Sequence, residues 1–353
     1  MKFEDPWKPF HQVAEEPFEQ ARLWKERTGR KVVGHLLPDV PEEILHAAGA
    51  LPVAIAGAGV QVTRAQAHIP GYSCSHAMGA LELGLQGDLD VLDGMVIPYV
   101  CDTTRNLYHL WNRCFPTKAN EFLRLPKRMD YPEASAYLKA EFARLADSMG
   151  KITGETPEVK ELASSVALYD KSRARLREAY RKQREYPEEW TQQRVYDLFM
   201  SATRMPREDH LAWMEALPWD DEMQSDADRV PIYVRGKVWD PPSILDLFDE
   251  LGLLVVEDEI VTGFRWVAED AGDSEDPLDA LVRRHLSTVP YAGYHLEPGR
   301  MVSDFVDRVR HSGALGVVFL NPKFCEAAGF DTPDFHKALQ EAGIQDLILE
   351  TSS

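Results

Sequence analysis

The chain has 353 residues, enough for two domains, and its hydrophobic content of 44% is ordinary for a protein with sizeable cores. Its 58 acidic and 39 basic residues give a formal net charge of −19, which argues against a nucleic-acid partner or an anionic membrane surface. No apolar run approaches membrane-spanning length, and the acidic, aromatic start does not resemble a signal peptide. Four cysteines without an export signal indicate a reducing compartment, so we expect a cytoplasmic protein without disulfides.

The first part of the chain alternates strands and helices. After a helical lead-in, the pattern predicts a strand at Lys31–Leu37, a helix from Pro41 to Gly49 and a strand at Leu51–Ile55. Strand, helix and strand with short connections predict a parallel sheet. The run Gly57-Ala58-Gly59 lacks the third glycine of a dinucleotide fingerprint and is interpreted as a turn.

The stretch from Ile69 to Cys114 carries two cysteines in similar settings. Val91–Val100 is an apolar run of strand length that leads to Cys101, and the next residues offer N-cap chemistry for a helix. Cys74 lies in a Gly/Ser loop just before the helical pattern His76–Leu85. The positive end of a helix stabilises a thiolate, and ligands bind at the carboxyl ends of strands in open α/β sheets. We therefore expect both thiols at a binding site.

The character changes between Tyr131 and about Leu217, where long charged helices are predicted. We expect a helical connector packed across both halves, because sustained heptads typical of a coiled coil are absent. Trp219–Asp228 is acidic and is interpreted as a solvated turn.

A second α/β unit begins at Val230 and presents Cys325 after the apolar strand Gly316–Leu320. Its other elements are predicted as strands at Pro231–Arg235, Leu253–Glu257 and Leu347–Leu349 and helices at Ile244–Leu251, Ala280–Leu286, Arg300–His311 and Pro333–Ala342. The predicted domains are a lead-in at 1–30, α/β domains at 31–130 and 230–353, and the connector at 131–229.

The cysteines admit two interpretations. Cys114 falls on the predicted helix Asn106–Phe115 and is typical of a buried apolar residue, and no close CxxC pair indicates a zinc ribbon. Cys74, Cys101 and Cys325 all fall in loops after strands. Three soft thiolates suit an iron–sulfur cluster with one iron left for a non-cysteine ligand, whereas four ordinary buried thiols remain the alternative.

Several blocks resemble the 2-hydroxyacyl-CoA dehydratase and benzoyl-CoA reductase family, and most of all the smaller cluster-carrying subunit of ATP-dependent benzoyl-CoA reductases. They are the Cys74 block and the segments Val40–Val53, Asp93–Trp111, Gly252–Trp266 and Gly316–Ile344. The resemblance implies two Rossmann-like parallel-sheet domains plus a helical part. It also implies a [4Fe–4S] cluster held by Cys74, Cys101 and Cys325, in some members joined through sulfide to a second cubane. Members usually continue into a C-terminal helix beyond the final strand, and this sequence ends at Ser353.

That resemblance also implies partners and an activity. A paralogous cluster-binding subunit is expected, with an acyl-CoA substrate in a cleft between the halves. ATP is expected to be hydrolysed by activator subunits carrying a further iron–sulfur cluster, because this chain has no GxxxxGK[ST] motif. The first hypothesis is low-potential reduction of an aryl-CoA. The alternatives are a 2-hydroxyacyl-CoA dehydratase subunit, a double-cubane reductase that never binds CoA, and a non-catalytic scaffold.

Few further site residues can be named. Arg265 is a candidate to bind a CoA phosphate or the thioester side, and an ion pair with Glu257 or Asp258 is the alternative. Catalytic proton donors stay unassigned. The histidines near strand ends or on the first helices are more typical of surface or satisfied core positions; they are His35, His46, His68, His76 and His109.

Overall fold

The structure, a computed structural model, describes residues 5–36, 39–219, 228–297 and 299–352. Within these ranges it contains two four-stranded sheets, both parallel throughout. The first consists of β1 (Val32–Leu36), β2 (Leu51–Ile55), β3 (Gly94–Tyr99) and β4 (Ala119–Arg124), and the second of β5 (Val230–Gly236), β6 (Leu253–Asp258), β7 (Gly316–Pro322) and β8 (Gln345–Thr351). The predicted α/β fold class with two Rossmann-like sheets is confirmed.

Both sheets have the same strand order, β2-β1-β3-β4 in the first and β6-β5-β7-β8 in the second. In each, the chain moves outward from its first strand to its second and then crosses back to the other side of the first. The strands that flank this crossover are β1 with β3 and β5 with β7. Their carboxyl ends mark the switch point where open α/β sheets bind ligands.

Helices connect and cover these strands. The first half contains α1 (Lys8–Glu15), α2 (Glu19–Thr28), α3 (Glu42–Ala47), α4 (Ser75–Gln86) and α5 (Asp102–Cys114). The middle contains α6 (Ala134–Thr153), α7 (Val159–Glu185), α8 (Gln192–Ala202) and α9 (Arg207–Met214), and the second half α10 (Ile244–Glu250), α11 (Phe264–Val267), α12 (Pro277–Ser287), α13 (Arg300–Ser312) and α14 (Glu326–Glu341). In the described part of the chain, no helix combines the length and the apolar character that crossing a bilayer requires.

The middle helices pack against both halves, as the sequence predicts. The Ser165 hydroxyl on α7 donates to the carbonyl of Glu43 on α3, and the Gln183 amide on α7 donates to the carbonyl of Val255 on β6, each at 2.9 Å. The lead-in joins the same layer, because Trp7 stacks edge-on against Trp190 with 4.8 Å between ring centroids. The domain boundaries stay a prediction, as does the acidic turn, most of which (220–227) lies outside the described residues.

The buried core is continuous between the halves. The cluster around the first sheet extends into Val238, Val261 and Tyr291 of the second half. The second sheet carries a separate core on each face, with alternate residues of β5 and β7 pointing to opposite sides. The halves are thus packed through shared apolar contacts, which hold their strand ends in a fixed relation.

One predicted helix start is wrong. The sequence predicts a start at Pro333, because proline favours the first helical turn, but α14 begins at Glu326 and contains Pro333 in its interior. Ala328, Phe335 and Leu339 are buried on one face of this helix and form a stripe that continues across the proline. Tertiary burial therefore outweighs the hydrogen bond that the proline removes. The predicted strand Lys31–Leu37 is observed as Val32–Leu36, with Leu37 outside the described residues.

The Gly57-Ala58-Gly59 run forms a turn, as the sequence predicts. The absence of a side chain at Gly57 is needed for packing, because a Cβ there would lie 2.1 Å from the carbonyl oxygen of His76. A Cβ on Gly79 of α4 would lie 2.0 Å from the carbonyl oxygen of Gly57. The two glycines thus let this loop pass directly against the helix that follows Cys74.

We expect Gly79→Ala to lower the free energy of unfolding by roughly 1–3 kcal/mol, because the added methyl group meets backbone that cannot move aside. Denaturant unfolding measures the change. Gly329→Ala on α14 is the matched control, since its Cβ would meet nothing within 4 Å. The control should be more stable by about 0.5–1 kcal/mol through its better helix propensity. Equal stabilisation by both substitutions would show that the contact between Gly57 and Gly79 is not close.

Candidate functional site

A cavity of about 400 Å³ lies where the switch points of the two sheets meet. Its walls come from the carboxyl ends of β3, β5 and β7, from the start of α4 and from the segment before α13. Among the residues that line it are Cys74, Cys101, Lys127, Lys237, His295, Cys325, Phe330 and Asp331. The structure therefore brings together all three cysteines that the sequence places after strands.

Each of these cysteines is the N-cap residue of a helix: Cys74 of α4, Cys101 of α5 and Cys325 of α14. Cys101 and Cys325 follow the third strand of their respective sheets, so they occupy equivalent positions in the two halves. All three thiols are free. Three helix N-termini directed at one cavity favour negative charge inside it.

Local hydrogen bonds fix the Cys101 loop. The Thr104 hydroxyl accepts from the backbone N–H groups of Val100 and Cys101 at 3.1 and 3.2 Å, and the Cys101 side chain accepts from the Thr104 backbone N–H. This is a capping box in which a cysteine takes the place of the usual serine. The thiol is thereby held at the start of α5.

Backbone strain is present beside Cys325. Phe324 has a φ of 63°, which lies in the left-handed region. Within the described ranges it is the one residue other than glycine with a positive φ. A left-handed residue with a side chain costs roughly 1–2 kcal/mol. Such strain is typical of functional sites, and here it turns the chain between β7 and α14 so that Cys325 faces the cavity.

Lys237 follows β5 and lies among the three thiols, with 4% of its surface exposed. Burial lowers the pKa of Lys237, but the charges of Cys74, Cys325 and Cys101 outweigh burial and raise the pKa above its usual range. Conversely, burial raises the pKa of the Cys325 thiol, and the Lys237 charge opposes that rise. Lysine and thiolates therefore stabilise one another's charged forms.

Two buried tyrosines flank the cysteines. The hydroxyl oxygens of Tyr291 and Tyr294 have no hydrogen-bond partner among the described residues. Burial and then the charge of Cys325 raise the pKa of Tyr291, whereas Tyr294 responds to burial and to the charges of Asp39 and Cys101. Buried hydroxyls without partners are rare in folded proteins. Neither tyrosine lines the cavity, but the charge of a cysteine acts on each, which makes the two hydroxyls candidate donors to a group bound among the thiols.

Two further lining residues can carry exchangeable protons. Burial lowers the pKa of Lys127 to about 8, against the opposing charge of Cys101, and its ammonium donates to the Tyr99 carbonyl at 2.8 Å. Burial raises the pKa of Asp331, whose Oδ2 atom is buried without a partner among the described residues. A lysine with a lowered pKa and an acid with a raised pKa are suited to proton transfer near neutral pH.

The residues around the cavity fit a cluster better than a single ion. Among the residues that the structure describes, no three His, Cys, Asp or Glu side chains stand close enough to hold one metal ion. In a cubane each cysteine binds a different iron, so its ligands are separated by the width of the cluster. Three soft thiols at three helix N-termini would be the ligands of such a cluster, a buried lysine would be its countercharge, and two tyrosine hydroxyls without a partner among the described residues would be its hydrogen-bond donors.

The other predicted residues lie elsewhere. Cys114 is half-buried on α5 and its Sγ lies 3.9 Å from His68 Nδ1, outside the cavity. None of the five candidate histidines lines the cavity. His35 pairs with Glu42 and His46 with Glu208. His76 Nδ1 accepts from the Gly57 N–H at 3.2 Å, and His109 is exposed.

Arg265 is buried and does not line the cysteine cavity. Its Nη2 lies 3.3 Å from Asp39 Oδ1, and its Nε donates to the Val289 carbonyl at 2.7 Å. The alternative ion pair with Glu257 or Asp258 is wrong, because those carboxylates face Arg184 and Tyr180 respectively. Contact of Arg265 with a CoA phosphate stays a prediction.

Three lining residues escaped the sequence analysis. Lys237 has a recognisable sequence pattern, a lysine directly after an apolar strand. That pattern identifies a site residue only once it is known that Lys237 and Cys325 line the same cavity. Lys127 and Asp331 carry no signal of their own, because their pKa values depend on burial by distant parts of the chain.

The fold and this site define a class: a two-sheet α/β protein with a cysteine-lined cavity to which both halves contribute. The family model described as 2-hydroxyglutaryl-CoA dehydratase, D-component, matches residues 39–353, and the chain belongs to that family. This confirms the resemblance seen in the sequence.

Relatives with known names extend over nearly the whole chain. One benzoyl-CoA reductase subunit, from Thauera aromatica, is 28% identical, covering 90% of this chain and 84% of the relative. The beta subunit of lactoyl-CoA dehydratase of Anaerotignum propionicum is 26% identical, covering 96% and 91%. The beta subunit of (R)-2-hydroxyglutaryl-CoA dehydratase of Acidaminococcus fermentans is 25% identical, covering 94% and 89%.

His76, buried beside the cavity, generates a prediction about pH. Burial and the charge of Lys237 lower the pKa of His76 to about 3, from an ordinary 6.5. The unfolded chain therefore binds a proton below about pH 6.5 that the folded protein does not accept until about pH 3. The contribution of the neutral His76 imidazole to the free energy of unfolding is fully present above pH 6.5 and is lost as the pH falls toward 3. We expect His76→Gln to flatten this dependence by up to about 1.4 kcal/mol per pH unit.

The measurement is the free energy of unfolding in denaturant at a series of pH values below neutrality. His109→Gln is the matched control, since that side chain is exposed in the folded protein. Wild-type and His76→Gln curves of equal slope would contradict a buried neutral imidazole at this position.

Proposed function

We propose that the protein is the iron–sulfur subunit of an ATP-dependent benzoyl-CoA (aryl-CoA) reductase. One observation carries the proposal: three cysteines from both halves of the chain, each at a helix N-terminus, line a single cavity. The benzoyl-CoA reductase subunit among its relatives supports the substrate class. When bound, a [4Fe–4S] cluster or a sulfide-bridged double cubane supplies a low-potential electron to a thioester-activated ring.

The chain's own residues hold and enclose this chemistry. Cys74, Cys101 and Cys325 are the proposed ligands, presented on short N-cap loops by rigid strands and helices. Tyr291 and Tyr294, whose buried hydroxyls have no partner among the described residues, are the proposed hydrogen-bond donors to cluster sulfur. Hydrogen bonds to cluster sulfurs and exclusion of water set the reduction potential. The continuous core behind the cavity keeps these groups in place.

The proposed substrate position is the open side of the same cavity. Phe324 and Phe330 stand at this side, and Phe330 is 81% exposed. An apolar rim of this kind suits a planar aryl thioester. Lys127 and Asp331 line the same wall, and we assign to them the supply of protons at Nζ and at the carboxyl group.

The reaction requires other chains. No phosphate-binding loop is present in the sequence, so ATP hydrolysis is assigned to separate activator subunits with their own iron–sulfur cluster. A paralogous cluster-binding subunit is the proposed permanent partner. The relatives support this arrangement, because each is named as one subunit of an enzyme.

A second candidate is a subunit of a 2-hydroxyacyl-CoA dehydratase. Two dehydratase beta subunits cover more of this chain than the reductase subunit does, at slightly lower identity. The same cavity is suited to a reductase and to a dehydratase, because both would transfer an electron from the cluster to a thioester. The dehydratase recovers that electron at the end of its reaction. The third possibility from the sequence, a small-molecule reductase that never binds CoA, has no structural observation in its favour.

The cysteine assignment makes a direct prediction. Replacing Cys74, Cys101 or Cys325 by Ala removes a ligand, so each variant should retain little of the iron and acid-labile sulfide of the wild type after anaerobic reconstitution. Cys114→Ala is the matched control and should bind the wild-type amount, because its thiol lies outside the cavity. Loss of the cluster in Cys114→Ala alone, or full loading of all three other variants, contradicts the assignment.

Substrate choice is tested on the intact complex. This chain, produced with its paralogous subunit and activator, should convert benzoyl-CoA to a dearomatised product and consume reductant and ATP in proportion to product. Lactoyl-CoA and 2-hydroxyglutaryl-CoA should not be dehydrated at a comparable rate. Dehydration of a 2-hydroxyacyl-CoA without net consumption of reductant would establish the second candidate instead. ATP-dependent turnover by this chain alone would contradict the need for partners.

A further inference from the structure

Lys237 is a buried cation that forms no ion pair with a carboxylate of the described residues. Its side chain lines the cysteine cavity and is 4% exposed. The charged groups that act on its ammonium are the three cysteines and, more weakly, Asp39. Asp39 is near enough to influence the ammonium, but its carboxylate is already paired with Arg265 at 3.3 Å.

An isolated buried ammonium is strongly unfavourable, even after the surrounding protein relaxes. Paired positions nearby show that this fold can supply a carboxylate, since Arg265 has Asp39 and Arg207 has Glu42. At Lys237 the surrounding groups are instead three cysteines, which are neutral as thiols and negative only as thiolates. The position is therefore suited to a cavity that holds negative charge.

We infer that Lys237 compensates the negative charge of an iron–sulfur cluster held by Cys74, Cys101 and Cys325. This inference rests on the proposed function. A cubane bound by three thiolates is a net anion, and its negative charge increases when it accepts an electron. A fixed ammonium beside the cluster stabilises the reduced cluster more than the oxidised cluster, because the reduced cluster carries more negative charge. The ammonium therefore raises the reduction potential.

Lys237 and Lys127 differ in their settings within one cavity. Lys237 is 4% exposed, whereas Lys127 is half-buried and its ammonium donates to the Tyr99 carbonyl at 2.8 Å. The helix N-termini add partial positive charge at each cysteine, and Lys237 is the full charge at the centre.

The test uses Lys237→Met, which removes the charge and keeps an unbranched side chain of similar length. The reconstituted protein is titrated with Ti(III) citrate, which supplies the electron, and the reduced cluster is followed by electron paramagnetic resonance. The reduction equilibrium should shift about tenfold toward the oxidised form, which is a midpoint about 59 mV more negative for a one-electron couple.

Lys323→Met is the matched control. Lys323 is exposed and lies two residues before Cys325. Its substitution removes the same charge close to a proposed ligand, but from a side chain that is surrounded by water. Solvent and salt screen an exposed charge, and its midpoint should stay at the wild-type value. Equal midpoints for Lys237→Met and wild type, or equal shifts in both variants, overturn the inference.

A second measurement needs no cluster. In the cluster-free protein at about pH 6, where cysteines are protonated and carry no charge, Lys237→Met should raise the melting temperature, because it replaces a buried charge without a countercharge by an apolar side chain. A lower melting temperature would show that the ammonium is a structural part of the empty fold and would overturn the inference. A wild-type protein that takes up no cluster refutes the proposed function, whereas a loaded Lys237→Met protein with an unshifted midpoint refutes only the role of Lys237.

Discussion

In both sheets the chain crosses back over its first strand before it forms the third, and each third strand leads to a cysteine at a helix N-terminus. That shared order directs the ends of β3 and β7 toward one cavity, and β5 adds Lys237 between them. Cys74 enters from α4, whose position depends on the close packing of Gly57 against Gly79. Parallel pairing therefore sets the places of Cys101, Cys325 and Lys237, and close helix packing sets the place of Cys74.

The relation between the halves is as important as either sheet. Ser75, next to Cys74, donates to Asp240 of the second half at 2.9 Å, and both residues are buried. On the opposite side of the first sheet, Arg207 of α9 pairs with Glu42 of α3, which also meets His35 of β1. Burial alone would raise the pKa of Glu42, but Arg207 and His35 outweigh it and lower the pKa. Buried pairs of this kind contribute little net stability, yet they penalise any arrangement that separates them.

Local patterns predicted most elements and the cysteine positions, because apolar periodicity and N-cap chemistry act over a few residues. β2 has the bounds predicted from its sequence, and Cys74 and Cys101 lie at the helix starts expected of them. The failures involve distant partners. The start of α14 depends on burial of a stripe that crosses Pro333, and the partner of Arg265 is Asp39, more than two hundred residues earlier. No local pattern identifies Lys237 as a site residue, since its neighbours come from two separate strand ends and from the start of α4.

The cysteines alone do not distinguish a reductase from a dehydratase, because both activities need the same electron at the same place. Protons make the difference: net reduction of a ring consumes protons as well as electrons, so they must be replaced from solvent in each cycle, whereas dehydration returns its electron. Lys127 and Asp331 both line the cavity and are half-buried, and both have pKa values moved toward neutrality by burial. Dehydration also moves protons locally, because a β-proton is removed and the hydroxyl leaves as water. Groups of this kind are therefore suited to either reaction, and the net consumption of protons and reductant per product, rather than the cavity lining, distinguishes the two activities.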